Sequence, residues 1–245
     1  MITGDPGKTY FQYVAEELLS GLHDATVLSI CCGTGDWERE WAQWCTFKRL
    51  EGIDLSPHRL EIAKAKAAAA GFADWRYTVA DANEIKLPAE SYDLVLAKAA
   101  LHHIVNLEHL SAEIKKALRP HGLFIVLDFV GPTRFQWTNR QLSVVNGVLE
   151  ILPPEYKYLI SNPGSLKQRV ARPDIKWMIQ IDPSEAVRSE EIPALLRHYF
   201  TIMEWKALGG GGCYTSYFTI LRETLSRTGR VAQLCWNCAF RSRIR

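Results

Sequence analysis

The chain has 245 residues, 47% of them hydrophobic, and a formal net charge of +2, which is room for one full α/β domain plus an insertion. No apolar run reaches the ~18 residues needed to span a bilayer. The first residues lack the basic start and apolar core of a signal peptide, so a cytoplasmic location is expected by default. Thr3 to Leu22 reads as a short helical segment, with Phe11, Val14, Ala15 and Leu18 on one face. A first strand is expected over Thr26–Cys31, and a helix capped by Asp36 over the residues up to Cys45. Trp37, Trp41 and Trp44 fall at helical spacing and read as core packing, with Trp37 closest to the turn before the helix. A second strand is expected at Arg49–Asp54. Ser56-Pro57 then starts an alanine-rich helix that Gly71 stops. Strands at Trp75–Val79 and Tyr92–Lys98, a helix from Leu107 to Leu118, a turn at Pro120-His121-Gly122 and a fifth strand at Leu123–Phe129 complete an alternating pattern. Such alternation implies a parallel sheet with helices on both faces.

Gly131-Pro132 breaks the pattern. A helix is expected over Phe135–Leu152, and Pro163, Pro173, Pro183 and Pro193 punctuate the rest of an insertion laid over the carboxyl ends of the strands. The core resumes near Tyr199–Ala207. Four glycines, Gly209 to Gly212, then turn the chain into Tyr214–Leu221, an antiparallel hairpin at one sheet edge. After Thr224 come Arg227, Arg230, Arg241, Arg243 and Arg245 without an acid, so the body before this tail is slightly acidic. The tail suits RNA, anionic lipid or an acidic protein, or is simply solvated. The core itself lacks a basic stripe, so nucleic acid is not expected there. The six cysteines form no disulfide framework. Cys31 and Cys32 are adjacent, and Cys235-x-x-Cys238 has no second pair and reads as partly buried thiols.

The densest chemistry lies in Val27-Leu28-Ser29-Ile30-Cys31-Cys32-Gly33-Thr34-Gly35-Asp36, where an apolar strand stops in a glycine turn before a helix. A second strand then ends in Gly52-Ile53-Asp54. Strand, glycine turn, helix, strand, acid is the opening of a nucleotide-type site, with the acid placed to accept from both hydroxyls of a ribose. Glu38 stands where a dinucleotide fingerprint needs its third glycine, and it would repel a pyrophosphate. There is no Gly-Lys-Ser/Thr of a P-loop. The turn therefore suits a ligand with ribose and adenine but no phosphate.

On these residues the chain resembles the class I S-adenosylmethionine-dependent methyltransferases from about Tyr10 to Phe129, with weaker echoes to Leu225. Cys32, Gly33, Thr34 and Gly35 match the family turn. Ser29 stands where the family has an acid that helps orient the methionine amino group, and Cys31 replaces its first glycine. Asp54-Leu55-Ser56-Pro57 is similar to the ribose site, and Ala80-Asp81-Ala82 to the adenine site, with Asp81 accepting from the exocyclic amine and the Ala82 N–H donating. The resemblance implies a seven-stranded, mostly parallel Rossmann-like α/β sheet with an antiparallel terminal hairpin and a helical lid after strand five. It divides the chain into a cofactor-binding core over 1–130, a lid over 131–198, a core hairpin over 199–223 and a basic tail over 224–245. The implied cofactor is S-adenosyl-L-methionine, with S-adenosyl-L-homocysteine as product. Tyr10 is expected to cover the methionine end, and the Lys98 carbonyl to accept from the donor's amino group.

Methyl transfer from a sulfonium needs alignment and exclusion of water, and a hydroxyl acceptor also needs a base. His102 or His103, just past strand four, is that candidate, and sequence does not choose between them. Asp128 is expected either to hold a substrate hydroxyl or a cation, or to cap the chain before Gly131. Arg134, Trp137 and Arg140 in the insertion are expected to meet a small-molecule acceptor, the arginines through a carboxylate or phosphate. Asp81 and His103 make no metal spacing, so no metal is expected. The alternatives are a non-catalytic binding or assembly protein on the same fold, an N-methyltransferase of a small amine and a nicotinamide oxidoreductase. Glu38 and the terminal hairpin argue against the last. The oligomeric state stays open.

Overall fold

The structure, a computed structural model, describes residues 5, 7–20, 22–159, 162–207 and 216–223. The glycine run Gly209–Gly212, Tyr214, the arginine-rich tail and the Cys235/Cys238 pair lie outside the described residues. In chain order the core contains α1 (Tyr10–Glu17), β1 (Ala25–Ile30), α2 (Asp36–Trp41), β2 (Phe47–Asp54), α3 (Pro57–Ala69), β3 (Arg76–Val79), β4 (Tyr92–Lys98), α4 (Leu107–Ala117) and β5 (Leu118–Phe129). The insertion adds α5 (Asn139–Ile151), β6 (Tyr158–Leu159), β7 (Asn162–Leu166) and α6 (Ile175–Ile181). Then come α7 (Ile192–Tyr199), β8 (Phe200–Ala207) and β9 (Ser216–Glu223).

Five strands run parallel in the order β3-β2-β1-β4-β5, and β9 and β8 continue that order antiparallel from the β5 edge. After β1 the chain steps outward to β2 and β3, then returns to lay β4 on the opposite side of β1. The carboxyl ends of β1 and β4 therefore diverge, and a crevice opens between the loops that follow them. Side-chain alternation explains why both faces are covered. Leu28, Ile30 and Val95 pack with α4 and α7 residues such as Leu110, Ile114 and Leu196. Val27, Leu94 and Leu96 pack with Trp37, Trp41, Leu60 and the α1 residues Phe11 and Val14 on the other face.

Local chemistry sets the element ends. The Ser56 hydroxyl caps α3 with Pro57 in its first turn, as expected. The helix expected from Phe135 begins only at Asn139, because Thr138 and Gln141 form a reciprocal capping box and Phe135 has a positive φ of 52°. α2 stops at Trp41 rather than reaching Cys45. The tryptophan stripe is therefore split: Trp37 and Trp41 are buried while Trp44 is 41% exposed. The turn expected at Pro120-His121-Gly122 is absorbed into β5 as a register irregularity against β4, with His121 at a φ of 69°. The insertion is tied down at the carboxyl end of the sheet. The Val187 N–H donates to the His102 carbonyl at 3.0 Å, the Ser189 hydroxyl to the Gly131 carbonyl at 2.9 Å, and Arg188 to Glu108 of α4.

Candidate functional site

The crevice at the β1/β4 divergence has a volume of about 220 Å³ and is lined by residues 29–34, Asp36, Trp37, Glu38, Asp54, Arg59, Lys98, Ala99 and His103. Its floor is the turn after β1. The Cys32 N–H donates to the Ile53 carbonyl at 2.9 Å, and the Gly33 N–H to Asp54 Oδ2 at 2.8 Å. Asp54 Oδ1 accepts from the Ser56 N–H at 2.9 Å. This buried carboxylate thus stitches the glycine turn to the start of α3 and keeps a second acceptor position on each oxygen.

The two glycines play different parts. Gly33 lines the crevice at a φ of 56° beneath the Arg59 guanidinium. Gly35 lies outside the lining residues. It begins α2 at a φ of 68°, and a β-carbon there would stand 2.9 Å from the Tyr77 hydroxyl, so it is required by packing. Cys31 takes a φ of 51°, a left-handed conformation unusual for a side-chain-bearing residue. Burial, with Asp54 nearby, pushes its thiol up to about 12, and burial with Glu38 pushes the Cys32 thiol up as well.

The crevice lining also includes an acid, Glu38, that in the sequence spoke against a pyrophosphate. Glu38 is 1% exposed. Its Oε1 accepts a short hydrogen bond from the equally buried Ser29 hydroxyl, and its Oε2 has no hydrogen-bond partner among the described residues. Burial raises its pKa, against the hydrogen bond from Ser29, the pull of its own backbone N–H and the charges of Arg39 and Lys98. Lys98 sits with its ammonium 5.9 Å from the centre of the Trp37 ring.

Several expected contacts are rearranged. Tyr10 lies outside the lining residues; its hydroxyl accepts from Trp37 Nε1 at 2.7 Å, so it buttresses the tryptophan rather than covering the crevice. Asp81 is exposed and held in a turn, accepting from the Asn83 N–H at 2.8 Å and its side-chain amide at 2.9 Å. Ala82 is buried in the core beside it, and Leu55 is 63% exposed. None of these three is among the lining residues.

The histidines sit on a short turn, Leu101–His103, with ring centres 4.1 Å apart. His102 is buried, and its Nδ1 is 2.5 Å from Asp128 Oδ1. Asp128 is also the acceptor for the N–H groups of Ala100 at 2.9 Å, Leu101 at 2.7 Å and Phe129 at 2.7 Å. It is therefore sealed and fully engaged, which corrects its assignment to substrate: it positions His102. Burial disfavours charging His102, but the Asp128 hydrogen bond and charge, with Glu185 and Asp182 beyond, outweigh it and raise its pKa. His103 faces the crevice. Burial and the neighbouring His102 lower its pKa against the pull of Glu185, Asp182 and Asp128. The Ser184 hydroxyl donates to Asp182 Oδ1 at 2.6 Å, so it accepts from His103 Nδ1–H at 3.0 Å. His103 Nε2 then has no hydrogen-bond partner among the described residues, and its lone pair can take a proton.

Two of the three insertion residues expected at a substrate are structural. Arg134 donates to the carbonyls of Glu185 at 2.9 Å and Pro183 at 2.6 Å and so closes the insertion on itself. Trp137 is 4% exposed and packs edge-on against Phe129. Arg140 is exposed on the first turn of α5 and is not a lining residue. The insertion also brings Glu185 to the histidines. Potential ligand atoms of His102, His103 and Glu185 lie within 4.8 Å of one another, a grouping made by the fold rather than by neighbouring positions in the sequence.

Residues 27–122 match a family model described as a methyltransferase domain. Over that segment the chain is similar to the S-adenosylmethionine-dependent methyltransferases. The domain is 31% identical over 109 residues to the demethylmenaquinone methyltransferase of Tropheryma whipplei, a match covering 44% of each chain. It is 28% identical over 137 residues to the sterol 4-C-methyltransferase strm-1 of Caenorhabditis elegans, covering 55% of this chain and 40% of that one. The chain thus spans less than half the length of these curated relatives. A solved S-adenosylmethionine-dependent methyltransferase from Mesorhizobium loti superposes with a TM-score of 0.58 at 18% identity, over 89% of this chain and 99% of that one, and shows the same fold. S-adenosyl-L-methionine is the cofactor of this family. The crevice fits it: Asp54 offers acceptors to a diol, Gly33 adds no side chain to the lining, and the unpartnered Glu38 oxygen suits a cation and opposes a phosphate.

Proposed function

We propose that the chain transfers the methyl group of S-adenosyl-L-methionine to a small-molecule acceptor that loses a hydroxyl proton, leaving S-adenosyl-L-homocysteine. When bound, the cofactor supplies a methyl already activated on a sulfonium. The protein's task is then placement. Asp54 holds the ribose diol through its remaining acceptor positions, and the turn around Gly33 sets the depth of the ligand. His103 Nε2 takes the acceptor's proton, a step typically worth about 10²–10⁴-fold. Fixing acceptor and methyl in line contributes on the order of 7–11 kcal/mol. His102, held by Asp128, keeps the shared turn rigid, and the insertion shields the acceptor from water.

The observation that supports this most is the convergence of Asp54, the glycine turn and His103 on one crevice at the divergence of β1 and β4. A second reading concerns the atom methylated. The sterol relative's name specifies transfer to carbon. A deprotonated phenol activates its neighbouring ring carbons, so the same base serves oxygen or carbon; on carbon, the ring proton of the methylated position then leaves to restore the aromatic phenol. The test is incubation with methyl-labelled cofactor and a panel of phenols, hydroquinones and sterols, with product position read by mass spectrometry. Label transfer that falls in His103→Ala supports the proposal. Cofactor binding without turnover on any acceptor favours the binding-module alternative.

A further inference from the structure

Glu38 carries an observation the proposed mechanism leaves unused. A carboxylate buried to 1% exposure ordinarily has every oxygen paired, because an unpartnered buried charge is costly. Here one oxygen is held by Ser29 and the other has no partner among the described residues, in a side chain that lines the crevice. The fold holds it there: Trp37 and Trp41 flank it on α2 and are themselves 4% and 0% exposed. That oxygen is an unfilled acceptor, and a donor carried into the crevice by a ligand fills it. Asp54, Gly33 and Glu38 line the same crevice. A ligand whose ribose lies at Asp54 shares the crevice with Glu38, and beyond its ribose this cofactor carries a primary ammonium with three N–H donors.

We propose that Glu38 Oε2 receives the α-ammonium of the bound cofactor, with Ser29 fixing the carboxylate for that contact. This rests on the cofactor reading above. It makes Glu38 a selectivity residue: compounds sharing the adenosine and thioether but lacking the amino acid gain nothing from it. The Ser29 hydroxyl and Glu38 Oε1 touch, so exchanging their chemistry, acid at 29 and hydroxyl at 38, returns a carboxylate to nearly the same space.

The experiment is calorimetric titration of the full chain with S-adenosyl-L-homocysteine, which carries the ammonium, and with 5′-methylthioadenosine, which does not. A charge-assisted hydrogen bond of about 1.5–3 kcal/mol corresponds to a roughly 10- to 150-fold change in affinity. Glu38→Gln is expected to weaken S-adenosyl-L-homocysteine by that factor and to leave methylthioadenosine within twofold. The Ser29→Asp/Glu38→Ser double variant is expected to recover most of the lost preference, and it serves as the test if Glu38→Gln does not fold. Equal loss for both ligands, or no loss for either, overturns the inference while leaving the cofactor reading standing. A wild-type chain that binds neither compound overturns both.

Discussion

Replacing Asp128 with asparagine keeps the shape of the side chain and removes its charge. In the wild-type chain Oδ2 accepts from two backbone N–H groups and Oδ1 accepts from a third and from His102 Nδ1. An amide can present an oxygen to only one of these pairs. With the amide oxygen on the Ala100 and Leu101 N–H groups, the NH2 faces the Phe129 N–H, which loses its acceptor, and His102 Nδ1, which it can hold only as a neutral acceptor. Such a loss costs about 1–3 kcal/mol, and breaking one side of a buried ion pair about 3–5 kcal/mol, so Asp128→Asn should destabilise by roughly 3–5 kcal/mol. The penalty depends on pH with a definite sign. Folding raises the His102 pKa, so the stabilisation by Asp128 is fully present below the unfolded imidazole value of about 6.5 and fades as pH rises through the folded value. Urea unfolding followed by tryptophan fluorescence at pH 5.5 and pH 9 measures it. The difference between wild type and variant should be larger at the lower pH. A difference below about 1 kcal/mol, or one equal at both pH values, would refute the dyad as the element that holds the histidine turn.

Other consequences follow from the same contacts. His103→Ala should lower turnover by about 10²–10⁴-fold while leaving S-adenosyl-L-homocysteine affinity within a few-fold; a parallel fall in affinity would reassign it to ligand binding. Because folding lowers the His103 pKa, the rate should be flat above neutrality and decline only on the acid side of about pH 6.5, which a pH–rate profile checks. Gly52→Ala places a β-carbon 2.7 Å from Tyr77 and 2.8 Å from Cys32, and thermal unfolding should show about 1–3 kcal/mol of destabilisation. Cys31 and Cys32 should resist iodoacetamide at pH 8 in the native chain and react on denaturation, as peptide mass mapping would report.

Most of the frame was legible in the chain itself because each piece had a local cause. The β1 turn needs positive φ at Gly33 and Gly35, the α3 cap is written as Ser56-Pro57, and the switch from β1 to β4 follows from alternating strands and helices. Side-chain partners were legible only where they are near in sequence. Asp128 and His102 are 26 residues apart, and only the alignment of β4 with β5 brings them together. Arg134 looked like a free cation because the carbonyls that consume it lie about fifty residues downstream. Trp137 looked like a recognition aromatic because nothing nearby announces that Phe129 will cover it. Ser29 read as a missing acid, yet a carboxylate stands against it from one turn into α2; the nine-residue offset was visible, but not that the two side chains meet.

The central claim is that the crevice between the ends of β1 and β4 takes the cofactor with its ribose on Asp54. Titration of wild type and Asp54→Ala with S-adenosyl-L-homocysteine tests it most directly. Stoichiometric binding by wild type, weakened in the variant by roughly 2–4 kcal/mol, is the predicted result. Absence of binding by wild type, or unchanged affinity in the variant, would contradict the account.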